Sequence, residues 1–231
     1  MKRFYTDVGW SADGDGWGIR LDGKPVRTPA RVPLLVPTAA LADAVAGEWR
    51  AQADMIKPAT MPLTGLANAA IDRVAAAPEA FAHGLARFAE SELLCYRAEG
   101  PPPLVARQAA VWDPLIAWAR ARYDVEFAVT AGIIHAGQPP ATLARLGTAY
   151  ASFDAFRLAA LNPVVTICGS AVIGLAVAEG QLDAAAAWQA GQLDEIWQAE
   201  QWGEDPLATA SRIERQAALA SATTMLALLA D

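Results

Sequence analysis

The chain has 231 residues and a mass of 24.3 kDa, with 54% hydrophobic and 19% charged residues. This composition excludes a disordered chain, and the length allows one large domain or two small ones whose core needs no covalent staple. Eighteen Lys and Arg against twenty-five Asp and Glu give a formal charge of −7 and a pI near 4.9, which argues against nucleic acid and against an anionic membrane surface as partners.

The N-terminal run Met1-Lys2-Arg3-Phe4-Tyr5-Thr6-Asp7 reaches an acid without an apolar core, so it is expected not to be a signal peptide. The first forty residues read as β structure. Phe4 to Trp10 and Trp17 to Leu21 flank the polar Asp13-Gly14-Asp15-Gly16 as a hairpin. Asp22-Gly23-Lys24-Pro25 is a second turn leading into Val26-Arg27-Thr28, and Val32 to Val36 is a fourth strand. Pro25, Pro29, Pro33 and Pro37 cannot donate to a ladder, which keeps these strands short or at sheet edges.

After Thr38, an N-cap residue, Leu41, Val45 and Trp49 recur at i, i+4 and i+8, the spacing of one helix face. Helices are predicted over 38–53, 64–76, 79–97, 104–123, 140–150, 153–161, 165–179, 183–201 and 206–229. The breaks are Lys57-Pro58, Pro78, Gly100 with Pro101-Pro102-Pro103, Gly137-Gln138-Pro139-Pro140 and Trp202-Gly203. The pattern is α+β: a small N-terminal α/β domain of short β-hairpins plus helix over 1–78, then a larger all-helical orthogonal bundle over 79–231. The joint falls between Pro78 and the stiff triple proline.

Leu158 to Ala178 carries no charge and is nearly long enough to span a bilayer, but Asn162-Pro163 interrupts it. It is expected to be a buried central helix, not a membrane insertion. Cys95 and Cys168 lack metal or disulfide spacing and read as small buried hydrophobes in a reduced compartment. His83 and His135 have no ligand set around them. No phosphate loop, nucleophile elbow or zinc helix is present. Gly14, Gly16 and Gly18 suit a hairpin turn, and Asp13 and Asp15 lack the later glutamate of a calcium loop. No cofactor, metal or catalytic residue is expected.

Charge placement is more informative. Arg157 and Arg212 bracket fifty-four residues without Lys or Arg, holding Glu179, Asp183, Asp194, Glu195, Glu200, Glu204 and Asp205. The whole net charge resides there, as a solvated face or a field that steers basic partners. At 100° per residue, Glu200 falls on the same stripe as Ala186, Ala190, Leu193, Ile196 and Trp197. It must pair with an arginine of this chain or be open to a partner's. Trp202 is expected near the surface and Gly203 as the αL residue that ends the helix.

The motifs Arg3-Phe4-Tyr5, Leu21-Asp22-Gly23-Lys24-Pro25-Val26-Arg27-Thr28-Pro29, Glu48-Trp49 and Met61-Pro62-Leu63-Thr64 come in order along the chain. They are followed by Leu66-Ala67-Asn68, Ile71-Asp72, Leu94-Cys95-Tyr96-Arg97, Trp112-Asp113-Pro114-Leu115, Gln138-Pro139, Leu193-Asp194-Glu195 and Trp202-Gly203-Glu204-Asp205. With them the chain resembles the assembly chaperones of the ATP synthase catalytic head that serve its alpha subunit, the mitochondrial F1 complex assembly factor 2 type, in an alpha-proteobacterial version. Ala69 and Glu92 depart from a threonine and an aspartate.

The resemblance implies a non-enzymatic, ATP-independent binding protein without cofactor. Its partner would be the unassembled alpha subunit, shielded until the beta subunit takes over. The implied partner-binding residues are Asp194, Glu195, Glu200, Trp202, Gly203, Glu204 and Asp205. The chain is expected in the bacterial cytoplasm and as a monomer when free. The rival reading is a small-molecule-binding protein or enzyme using the carboxylates of Glu200, Glu204 and Asp205, which would need a closed pocket around them.

Overall fold

The computed structural model describes residues 1–203 and 206–230. Two tight turns set the N-terminal sheet. Strands β1 (Val8–Asp13) and β2 (Gly16–Leu21) pair antiparallel, from Val8 opposite Leu21 to Asp13 opposite Gly16. The second turn, Asp22-Gly23, has φ of +48° and +75° and leads into β3 (Lys24–Pro25). Positive φ at both central residues is what a primed hairpin turn requires. Asp22 accepts the amides of Thr6 and Asp7 at 3.0 and 2.8 Å, and these bonds hold its carboxyl below the usual range. Strand β4 (Leu35–Val36) also pairs with β2.

The predicted strand from Phe4 starts later, at Val8, because residues before it pair elsewhere. Arg3 N–H donates to the Asp54 carbonyl at 2.9 Å, and Ile56 N–H donates to that of Met1 at 2.8 Å.

Helix α1 (Ala39–Arg50) buries Leu41 and Val45 and packs on β1 and β2. Thr38 caps it: its hydroxyl oxygen accepts from Leu41 N–H at 3.2 Å and its proton goes to the Leu228 carbonyl at 2.7 Å. Thr38→Ala should therefore cost about 1–2 kcal/mol, read as a lower denaturant midpoint at unchanged slope. The carboxylate of Glu48 accepts from Leu63 N–H, Thr64 N–H and the Thr64 hydroxyl at 2.7, 2.8 and 2.7 Å. It thus caps helix α2 (Pro62–Ala69), which continues through a π-helical turn at 70–74. This joins two of the sequence motifs physically.

The remaining helices are α3 (Pro78–Ala86), α4 (Pro102–Tyr123), α5 (Pro140–Ala151), α6 (Ala155–Cys168), α7 (Ala171–Ala178), α8 (Ala184–Gly191), α9 (Leu193–Trp202) and α10 (Pro206–Leu228). A small strand region followed by a larger helical part is the α+β class expected. The chain divides into two compact units. One comprises 1–78 with 154–160 and 224–231, the other 79–153 with 161–223.

Four boundaries differ from the sequence expectation. The helix predicted over 79–97 ends at Ala86 and gives way to 3-10 turns. Tyr96–Arg97 is instead a strand, β5, pairing in parallel with β6 (Thr130–Ala131). The break expected at Asn162-Pro163 falls later. Helix α6 carries Pro163 inside it, and Gly169 at φ +65° ends it, after which the Ser170 hydroxyl caps α7 by accepting from Ile173 N–H at 2.9 Å. The triple proline is less a joint than a helix start: Pro101 is the N-cap of α4, and Pro102 and Pro103 occupy its first turn, where no N–H is needed. The helix predicted over 183–201 is two, α8 and α9, divided at Gln192.

Helix α7 is buried from Ala171 through Val177, so the later part of the uncharged segment is core, whereas Asn162 and Thr166 in α6 face solvent; the single central helix expected there is two. Among the described residues no helix is long and apolar enough to cross a membrane.

Candidate functional site

The site is built around α9 and the part of α4 beside it. Gln192 fixes where α9 begins. Its Nε2 donates to the Ile167 carbonyl at 2.8 Å, and its Oε1 accepts from Arg215 Nη1 at 2.9 Å. The other Arg215 amine reaches Glu195 at 2.8 Å, and its guanidinium lies 5.9 Å from the Trp188 ring centre. Asp194 and Glu195 occupy the first turn of α9, where the helix dipole favours acids. Asp194 accepts from Gln108 Nε2 at 2.8 Å, while Gln108 Oε1 accepts the Ala98 amide at 2.8 Å. Gln108 is buried, so both ends of its amide are satisfied by this arrangement.

Two turns along α9, Glu200 meets Arg107 through two bonds of 2.5 and 3.1 Å. The hydrogen bond from Arg107 holds the Glu200 carboxyl below its usual range, and the same bond raises Arg107. Arg107 also lies 5.9 Å from the Trp197 ring centre, a cation–π arrangement. Of the two alternatives for Glu200, an arginine of this chain occupies it. Its side chain nevertheless remains 47% exposed. The stripe argument placed it toward the core because it treated 183–201 as one helix. The break at Gln192 resets the phase, and the end of α9 faces solvent.

Trp202 is 79% exposed. Gly203 ends α9 with φ +84°, as expected in sign, but ψ is 174°. That is outside the αL well and in a region open essentially to glycine alone. Glu204 and Asp205 lie outside the described residues. A groove of about 370 Å³ runs beside this helix end, lined by Pro101, Leu104, Trp197, Gln201 and Trp202 among others. Among the described residues no carboxylate lines it.

Of the five acids of the Lys/Arg-free segment that are described, three take an arginine from elsewhere in the chain: Glu179 with Arg122, Glu195 with Arg215 and Glu200 with Arg107. Sequence reasoning missed these partners and Gln108. The signal was available in Leu104, Arg107, Gln108 and Trp112, which share one face of α4 at helical spacing. Cys95 and Cys168 are both buried, and burial first, then the charge of Glu92, pushes each thiol up to about 12. Neither can present a thiolate near neutrality.

The family model of the ATP12 chaperone protein matches residues 2–120, and the chain belongs to that family. The mitochondrial protein atp12 of Schizosaccharomyces pombe is 26% identical over 215 residues, covering 88% of this chain and 74% of that protein. The crystal structure of Atp12 from Paracoccus denitrificans superposes with a TM-score of 0.94 at 42% identity, covering 98% of this chain and 97% of that one. An aspartate-to-lysine mutant of the same protein matches equally. A protein of known structure from Agrobacterium tumefaciens matches with a TM-score of 0.94 at 41% identity, covering 99% and 86%.

Proposed function

We propose that the chain is an ATP-independent assembly chaperone that binds the unassembled alpha subunit of the ATP synthase catalytic head and shields its subunit interface until the beta subunit displaces it. The contact runs over the exposed side of α9 and the residues that follow it in the chain: Asp194, Glu195, Glu200, Trp202, Gly203, Glu204 and Asp205. The observation that carries this reading is Trp202, left 79% exposed at the end of a helix whose outer face holds Glu195 and Glu200. Tryptophan is a dominant contact residue at interfaces, and carboxylates beside it suit an arginine-bearing surface. Family membership supports the chaperone class. The chain works in the bacterial cytoplasm, as a monomer until it meets its client.

Glu195 and Glu200 hold their arginines at the surface, where such pairs are weak and exchange readily. A client arginine competes with Arg107 for Glu200 without uncovering a buried charge. With no nucleotide loop in the sequence, release follows from competition by the beta subunit. The carboxylate enzyme is the weaker reading, since Glu200, the one described carboxylate of its three, is paired with Arg107 and does not line the groove beside α9.

The test is capture of the alpha subunit from lysate by the tagged chain at low and moderate salt. Enrichment that weakens with salt supports the acidic contact. Glu200→Gln should reduce capture while the melting temperature stays unchanged, because the Arg107 pair is at the surface. Loss of melting temperature with capture intact would make Glu200 structural and remove it from the contact.

A further inference from the structure

A second concave surface lies on the compact unit formed by the N-terminal residues, and nothing in the function above uses it. It is a groove of about 490 Å³ between the Met1–Tyr5 segment, the β2–β3 turn and α1. Tyr5, Leu21, Val26 and Trp49 form its apolar floor and walls, and Phe4 stands 62% exposed at its mouth. Tyr5 and Leu21 belong to a small core cluster with Ile56 and Met61, and Val26 and Trp49 pack against it, so the floor is rigid. The Trp49 indole N–H has no acceptor among the described residues, which leaves a buried donor unsatisfied on the wall.

The rim is cationic. Lys24 and Arg27 line it, both exposed, and neither forms an ion pair among the described residues. The one acid in the lining, Asp22, is engaged by the Thr6 and Asp7 amides. Residues 1–78 hold nine Lys and Arg against eight Asp and Glu, in a chain whose net charge is −7. Arg27 donates to the Arg31 carbonyl at 2.7 Å and keeps its charge at the rim; an apolar cavity edged by exposed cations is complementary to apolar side chains flanked by carboxylates, and repels basic segments.

We propose that this groove docks an extended segment of the client polypeptide in which one or two large apolar side chains are flanked by acidic residues. The apolar anchors enter between Phe4, Val26 and Trp49, and the carboxylates meet Lys24 and Arg27. The assignment rests on the chaperone reading for the source of the segment, while the groove's chemistry sets which segment it takes.

The experiment uses the full chain, labelled with nitrogen-15, titrated with the blocked peptide Gly-Asp-Leu-Phe-Asp-Glu-Gly and a counterpart carrying lysine at each acidic position. Saturable shifts at the amides of residues 21–27 and at the Trp49 indole are expected, with the lysine peptide weaker by about tenfold or more. Lys24→Glu with Arg27→Glu should weaken the acidic peptide by about as much, with only a small fall in melting temperature, since both side chains are exposed and Arg27 gives up one surface hydrogen bond to the Arg31 carbonyl. Phe4→Ser provides an independent loss through the apolar mouth. Equal binding of both peptides, shifts confined to other surfaces, or concentration-dependent self-association through the groove would overturn the proposal.

Alpha-subunit capture by the same variants separates this idea from the one it rests on. Capture intact while the acidic peptide fails to bind removes the groove and leaves the chaperone reading. Peptide binding without any capture by the wild type removes the alpha subunit as source and with it the client assignment made here.

Discussion

Raising the pH from 4.5 to 7 is expected to remove about 3 kcal/mol of stability through Glu92 alone. Its side chain is fully buried, and burial pushes its carboxyl up from 4.5 to about 7 against the opposing pull of its hydrogen bonds. The carboxylate accepts from Leu94 N–H at 3.4 Å and from Val172 N–H at 3.2 Å, so it sits at the N-terminus of buried α7. A pKa raised in the folded state means that the folded protein holds a proton the unfolded chain has released. Stability is therefore complete below 4.5 and declines as pH rises through about 7.

Asp22, Asp43 and Glu200 have lowered carboxyls and pull the other way, losing their contribution as pH falls. The measurement is thus a difference: wild type against Glu92→Gln, unfolded in denaturant across that pH range. The variant should gain on the wild type by about 3 kcal/mol toward the alkaline end. A flat difference, or a wild type that stays ahead at pH 8, would mean that the ionised carboxylate caps α7 well enough to offset its burial.

Gly174→Ala should be strongly destabilising although it adds a single methyl. A Cβ at this position would lie 2.5 Å from the Tyr150 hydroxyl and 2.5 Å from Val165 Cγ2. The helix preference of alanine favours the change by about 1 kcal/mol. Overpacking costs about 1–3 kcal/mol, and displacing the Tyr150 hydroxyl from the Ala171 carbonyl, bonded at 2.7 Å, adds about 1–3 more. The net loss should be about 1–5 kcal/mol, a fall in melting temperature of about 2–20 °C for a chain this size. Tyr150→Phe removes the oxygen that clashes. In the Gly174→Ala background it should therefore cost less than in the wild type, a coupling that a double-mutant cycle reads directly. Additive costs would show that Val165, not Tyr150, is the obstacle.

What could be read from the sequence was what short-range physics dictates. The Asp22-Gly23 turn, the Thr38 cap and the Leu41, Val45, Trp49 face are each set by residues within a few positions of one another. The errors arose where a distant partner decides. Tyr96 and Arg97 look helical until Thr130 and Ala131 lie beside them. Pro163 is tolerated inside α6 while Asn162 beside it faces solvent. Gln192 breaks the helix before α9 because Ile167 and Arg215 take both ends of its amide. That one break also takes Glu200 off the apolar stripe and leaves it at the surface. Glu92 was noticed only as a departure from aspartate, although a lone carboxylate before Leu93-Leu94-Cys95 is itself a sign of a buried cap. The chaperone class came from ordered motifs spread along the chain, which no local rule would have supplied.

The way the chain is shared between its two compact units also governs the order in which it can fold during synthesis. The unit that begins at Met1 takes in residues 154–160 and 224–231, and the Thr38 hydroxyl waits for the carbonyl of Leu228. The earlier of the two units along the chain is thus the later to be completed. The helical unit has all its residues by position 223, so it is complete while the sheet still lacks its closing piece.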